Sequence, residues 1–399
     1  MLRQPRPLTA APTWRDNKRW WWLLSAIFPG LIWSHLFKYQ ETGQIAWLWL
    51  MSVVTYVVVP LLDGLLGPDT SNPPEEALAD LEQQRWYQVL LLVFVPLQYG
   101  LTMHGAWLVA HQTQMPGGSL GLLGWLGLIL TVGGVNGIAI NTAHELGHKQ
   151  PAWQRWLARI TLAPVAYGHF FVEHNRGHHR RVATLEDPAS ARMGESFWAF
   201  LPRSMIGSLR SAWALERARL KGHRLPAWHW RNQCLQAWAM TLLFYAALCL
   251  WLGLGVLPFL LIQAFYGASL LEVVNYIEHY GLLRALGPDG RPVRCEPEHS
   301  WNSNHRVSNL FLFHLQRHSD HHAHPTRPYQ ALRHFESSPQ LPTGYAGLLL
   351  LAYLPPLWFR LMDPKVLAHY GGDISRANLQ PSRRTALLRR YAKGVELRP

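Results

Sequence analysis

The chemistry of this chain is written in its histidines. Three short motifs hold eight of them: His144-Glu145-Leu146-Gly147-His148, Glu173-His174-Asn175-Arg176-Gly177-His178-His179 and His318-Ser319-Asp320-His321-His322. A ninth, His279, stands alone in Asn275-Tyr276-Ile277-Glu278-His279-Tyr280. Residues three or four apart share one face of a helix. His144 with His148, His174 with His178, and His318 with His321 or His322 are therefore each spaced to grip one metal. Adjacent helix residues point about 100° apart, so the His178-His179 and His321-His322 pairs could each supply one ligand to each of two metals. Nine imidazoles exceed the needs of one ion, and a two-metal site is the economical reading.

All-nitrogen ligation suits zinc, copper, iron or nickel. Four or five imidazoles per ion is more than tetrahedral structural zinc needs. Neutral imidazoles leave the metal charge uncompensated, so carboxylates that orient the rings are expected nearby; Glu145, Glu173, Asp187, Glu278 and Asp320 flank the motifs. His314 is a further candidate for that role, on the expectation that it shares a helical face with His318. His144-Glu145-x-x-His148 also matches the zinc metalloprotease motif with Glu145 as general base, but that reading leaves seven histidines without a task. His35, His223, His229 and His369 read as ordinary surface or packing residues.

Six apolar stretches can position these motifs: Trp20–Phe37, Ile45–Leu62, Val89–Ala110, Leu120–Ile140, Cys234–Leu252 and Leu257–Ile277. A helical crossing of a bilayer takes about 20 residues. The first stretch is the weakest, being broken by Pro29-Gly30; it reads as a retained helix anchored by Trp20-Trp21-Trp22 rather than a cleaved signal. Two further runs, Trp156–Phe171 and Tyr345–Phe359, are too short or too rich in proline to span. The chain of 399 residues carries a net charge of +13. With the N-terminus cytoplasmic, every one of its 37 lysines and arginines except Lys38 falls on the inner side, as the positive-inside rule requires. The expected protein is an all-α integral membrane protein. It has six transmembrane helices, with a helical cytoplasmic cap holding a histidine-rich di-metal site. Residues 1–399 form one membrane domain, with the first four spans in 20–140 and the last two in 233–277. The cytoplasmic segments are 141–232 and 278–399, and both termini are cytoplasmic. The three cysteines form no Cys-x-x-Cys pair, which leaves no thiolate metal site. The basic excess reads as membrane topology and partner steering, not nucleic-acid binding.

The motif order resembles the membrane fatty-acid desaturase and hydroxylase superfamily. The wider context is more specific. Asn141-Thr142-Ala143 before the first motif, Glu173 through His179, Asn275 through Leu282, and Leu315-Gln316-Arg317 through His324-Pro325 resemble the bacterial alkane 1-monooxygenase family. The resemblance runs from Pro60-Leu61-Leu62-Asp63 to Met362-Asp363-Pro364-Lys365. It implies a non-haem centre of two irons and no haem, molecular oxygen, and electrons from a rubredoxin. The rubredoxin would be a separate chain, reduced by rubredoxin reductase, so that NADH enters only indirectly. It implies a ligand role for His144, His148, His174, His178, His179, His279, His318, His321 and His322. The activity it implies is hydroxylation of the terminal methyl of medium-to-long n-alkanes, with an acyl-chain desaturase or hydroxylase as the alternative.

A terminal methyl has no acid–base handle, so an oxidant generated from oxygen at the metal is required. The protein must then deliver the chain end and exclude water. Gly137 and Ile140 lie seven and four residues before His144, and Leu271 and Asn275 lie eight and four before His279; these, with Thr55 on the second span, are the expected channel residues.

Overall fold

The computed structural model describes residues 14–392. The two chain ends, expected on the cytoplasmic side, lie outside the described residues. Among the described residues there is no strand, only helices and four isolated β-bridges. Five helices are long and apolar enough to cross a bilayer: Ile45–Leu66, Arg85–Ala110, Gly121–Gly147, Gln233–Leu252 and Leu254–His279, which makes the chain a membrane protein. The six expected spans become five: the first, now the Leu23–Thr42 helix, has the length but carries Lys38, Tyr39 and Gln40 in its last two turns, and the five that qualify are the second to the sixth of the expected series. Of the three clustered tryptophans before it, Trp20 and Trp21 are exposed. Trp22 is buried and packs edge-on against His314 and Tyr329.

Glycine sets how closely the fourth and sixth long helices, Gly121–Gly147 and Leu257–His279, approach. A Cβ at Gly133 would lie 2.5 Å from the Gln263 carbonyl oxygen, and one at Gly267 would lie 2.8 Å from that of Gly133. Gly133 and Gly137 form the small-x-x-x-small spacing that lets helices touch through their backbones in lipid. A buried amide chain locks the same layer. Gln98 Nε2 donates to Asn136 Oδ1 at 2.8 Å, Asn136 Nδ2 to Gln263 Oε1 at 2.7 Å, and Gln263 Nε2 to the Pro164 carbonyl at 2.9 Å. Those bonds satisfy polar groups that lipid could not.

The two polar segments fold together at the end of the bundle where these helices stop. Arg284 N–H donates to the Ala183 carbonyl, Gly281 N–H to Ala191 and Trp301 N–H to Glu278. The second span is tied to the third motif's approach: Asp63 Oδ1 accepts from the amides of Val307 and Ser308 at 2.9 and 3.1 Å. The two shorter apolar runs do not span. One becomes the Ala152–Thr161 helix and a turn, the other the Tyr345–Ala352 and Pro355–His369 helices, separated before Pro355.

Candidate metal centre

The first motif continues the fourth long helix without a break, so His144 is carried by the same rigid rod that spans the bilayer. The second motif sits in residues 170–181, where the helix widens to a π turn over His174–His178. Hydrogen bonding from i to i+5 brings residues five apart into line, and His174 groups with His179 rather than with His178. This differs from the spacing argument, which assumed a regular α-helix. Gly177 permits the turn: a Cβ there would fall 2.5 Å from the Glu173 carboxylate. The third motif is a six-residue helix, His318–Ala323. It is held by the buried Arg317, which donates to the carbonyls of Leu332, Asp69 and Ser71 at 2.7, 2.9 and 3.0 Å. Sequence reasoning missed Arg317 because its partners lie far along the chain.

All nine imidazoles come together, in two groups. His144, His148, His174, His179 and His321 form one; His178, His279, His318 and His322 form the other. Within each group the ligand-capable nitrogens lie within 4.8 Å of one another. The adjacent pairs His178-His179 and His321-His322 each divide between the groups. The groups adjoin, with the His179 and His322 ring centroids 4.6 Å apart.

The rings aim their Nε2 atoms inward. In the first group His144 approaches His321 at 2.8 Å, His179 approaches His174 at 2.9 Å and His321 at 3.1 Å, and His174 approaches His148 at 3.2 Å. In the second, His322 approaches His318 at 2.8 Å and His178 at 3.2 Å, and His318 approaches His279 at 3.3 Å. Burial first, then the neighbouring imidazoles, hold His174, His179, His318, His321 and His322 well below the usual histidine range. They are neutral, which is the form that binds metal. A neutral imidazole has one donor and one acceptor nitrogen, so a closed set of converging Nε2 atoms cannot satisfy itself by hydrogen bonding. Nitrogens about 2.1 Å from a shared cation sit about 3.0–3.4 Å apart, close to the separations here. The residues fit a metal in each group.

The five flanking carboxylates divide. Asp187 Oδ2 lies 3.0 Å from His178 Nδ1 and accepts from the Ser190 hydroxyl at 2.7 Å. Burial opposes its charge, but His178 and Ser190 hold the carboxyl down at about 2. Glu278 accepts from the Tyr345 hydroxyl at 2.7 Å, and its other oxygen lies 3.2 Å from His318 Nε2. The remaining three do not hydrogen-bond a ligand-group ring. Glu145 is 3.9 Å from His144 Nδ1, too far for a hydrogen bond, and turns to Lys149 and the Tyr329 amide; it is not placed as a general base. Glu173 pairs with Arg181. Asp320 accepts from Arg327 and the Arg333 amide and bonds His324, bracing the loop after the third motif. His314 also lies elsewhere. Positive φ at Phe313 and His314 breaks the helical register with His318, and His314 Nδ1 bonds the Tyr329 carbonyl instead.

An apolar cavity of about 120 Å³ reaches the centre from between the spans. His144, His174, His318 and Glu278 form its polar end. Of the five residues proposed for a channel, Thr55, Gly137, Leu271 and Asn275 line its wall and Ile140 does not. The wall follows Gly134, Gly137, Ile138 and Asn141, the helical face spaced 3, 4 and 7 apart, and Ile140 is buried on another face. Tyr56 and Tyr266 also line it, hydroxyl to hydroxyl at 2.6 Å.

An all-helical membrane protein with two adjoining polyhistidine groups under an apolar cavity is the class of protein defined by fold and site. Residues 120–350 match the family model described as fatty acid desaturase. The chain is 46% identical to an alkane 1-monooxygenase of Pseudomonas putida, covering 97% of this chain and 95% of the relative. It is 47% identical to an alkane 1-monooxygenase of Ectopseudomonas oleovorans, covering 98% and 96%. A more distant relative, the hydroxylase component of the xylene/toluene monooxygenase of Pseudomonas putida, is 27% identical over 80% of this chain and 83% of its own. The chain belongs to the fatty acid desaturase family and, within it, to the alkane 1-monooxygenases.

Proposed function

We propose that this protein hydroxylates the terminal methyl of medium-to-long n-alkanes at a centre of two irons, with electrons delivered by a separate rubredoxin. The observation that carries the reading is the nine imidazoles in two adjoining groups at the polar end of an apolar cavity. His144, His148, His174, His179 and His321 would hold one iron; His178, His279, His318 and His322 would hold the other. Two irons so held would supply an oxidant, made from oxygen, strong enough for an unactivated C–H bond.

The chain's own residues do the rest. The cavity wall takes up the hydrocarbon, each buried methylene contributing about 0.8 kcal/mol. Its apolar lining excludes water from the reacting end and offers no group that would hold an alkane by its middle. Gly137, where a Cβ would meet the Gly267 carbonyl and Leu270 at 3.0 Å, lets the two helices that wall the cavity close against each other, and Thr55, Leu271 and Asn275 set its width. Asp187 accepts the Nδ1 proton of His178, fixing the tautomer whose Nε2 lone pair faces the second group. Glu278, held by Tyr345, stands at the join of cavity and centre. Support for a cytoplasmic centre in the inner membrane comes from the charges: all but Lys38 of the lysines and arginines then lie inside. That basic face would also draw in an acidic electron carrier.

The test is product analysis by gas chromatography, using purified protein, rubredoxin, rubredoxin reductase and a series of n-alkanes. Primary alcohols are expected. Unsaturated products from acyl substrates, with no alcohol from alkanes, would overturn the reading in favour of a desaturase.

A further inference from the structure

A second cleft, of about 350 Å³, lies apart from the histidine centre. It is walled by the Ala152–Thr161 helix, the end of the Phe197–Gly222 helix and the first turn of the Gln233–Leu252 span. Arg155, Arg159, Arg219 and Arg231 face it, together with Trp156 and Trp230. Cations outnumber anions here. Glu216 is the one carboxylate partner, and it serves both Arg219 and Arg176. Arg155, Arg159 and Arg231 have no ion pair among the described residues.

Arg159 is the most telling member. It is 5% exposed, yet its protein partners are neutral: the Gln236 side-chain oxygen and the Arg155 carbonyl. Its guanidinium lies 3.8 Å from the Trp156 ring centroid. Burial, with Arg155 close by, brings it down to about 10. Holding a buried guanidinium without an anion is costly, and a planar fork of donors matches a phosphate well.

The level of the cleft identifies the source of the anion. Gln233 and Gln236 on its wall belong to the first turn of a span. Trp156 and Trp230 line it at 42% and 69% exposure, and Trp153 and Trp228, close to its lining residues in sequence, are exposed as well, as in an interfacial aromatic belt. Leu243, two helical turns beyond Gln236, is 69% exposed on the apolar face of that span. A cleft lined by indoles at a span's edge faces headgroups rather than water.

We propose that this cleft binds the phosphate of an anionic phospholipid, with the acyl chains lying along the exposed face of the Gln233–Leu252 span. The site also touches the histidine motifs mechanically. Phe171, on the cleft wall, lies under the Arg159 guanidinium at 5.2 Å and packs beside Gly147 of the first motif. A bound headgroup therefore braces the helix that carries the second motif.

The experiment uses the full chain in detergent, titrated with phosphatidylglycerol or phosphatidylcholine and read by native mass spectrometry and thermal unfolding. The wild type should retain one phosphatidylglycerol through washing and unfold at higher temperature with it, while phosphatidylcholine does neither. The double variant Arg155→Ala/Arg231→Ala, altered only at partly exposed positions, should bind phosphatidylglycerol about tenfold more weakly, a loss of about 1.4 kcal/mol. Its metal content should be unchanged, which checks that it folds. The milder Arg159→Lys, which keeps the charge and loses the fork, should fall between. Equal binding of the two lipids overturns the proposal. So does inorganic phosphate at millimolar concentration reproducing the whole thermal shift, which would make this a free-phosphate site. A double variant that keeps its lipid but loses turnover with rubredoxin would mark a protein-docking surface and overturn it as well.

Discussion

Asp187 shows how one side chain decides what a histidine can do. Its carboxylate stays charged in a buried site because His178 and Ser190 both satisfy it. Asp187→Ala would leave the His178 Nδ1 proton without a partner and the ring free to turn. Loss of such a partner costs about 10–100-fold in metal affinity. Dialysis of the variant against a graded chelator should strip metal at correspondingly lower chelator concentration; metal retention equal to wild type would show that Asp187 is not needed to orient the ring. The wall residue Thr55 tests the cavity in the same local way. Thr55→Trp places an indole in the hydrocarbon's path, so the product profile should shift to shorter alkanes with the longest lost. An unchanged chain-length profile would remove Thr55 from the channel. At this scale the sequence was informative about residue type and less so about direction. Asp187 and Glu278 reach the rings, whereas Glu145, Glu173 and Asp320 sit as close in sequence and bond elsewhere, because Lys149, Arg181 and Arg327 and the amides of Tyr329 and Arg333 capture them.

At the scale of elements, five of the six expected spans were plain from composition, and the ends of the Leu120–Ile140 and Leu257–Ile277 runs marked where His144, His148 and His279 would gather. What spacing could not reveal was the π turn at His174–His178. An extra residue in one turn depends on Gly177 and on contacts across the chain, and it changes which histidines pair. The break at Phe313 and His314 was hidden for a related reason: positive φ at non-glycine residues has no reliable sequence sign. The closeness of the fourth and sixth long helices could be suspected from Gly133 and Gly137, but it needed Gly267 opposite to be recognised. Gly133→Ala tests it. Its new Cβ would meet the Gln263 carbonyl at 2.5 Å, and backbone cannot retreat as a side-chain tip can. Forced separation of this kind costs about 1–3 kcal/mol. The variant should melt at lower temperature in detergent and release metal on melting, since His144 and His279 ride on the two helices being parted. An unchanged melting temperature would mean that the crossing is looser than described.

The whole molecule joins two solvents. Its apolar rods dissolve in lipid and carry hydrocarbon, while the folded end gathers nine imidazoles away from water. The distribution of lysine and arginine made this division visible in sequence. The split of the adjacent pairs between two groups was legible in sequence; which other histidines join each group became visible only once four separate segments were brought to the same end of the bundle. That division is the central claim, and metal counting tests it most directly. Protein purified after growth with iron should contain two iron ions per chain by elemental analysis. His144→Ala and His279→Ala, one from each group, should each lower that number by about one. A single zinc per chain, or one variant emptying the protein while the other leaves it full, would contradict a centre built from two metal sites.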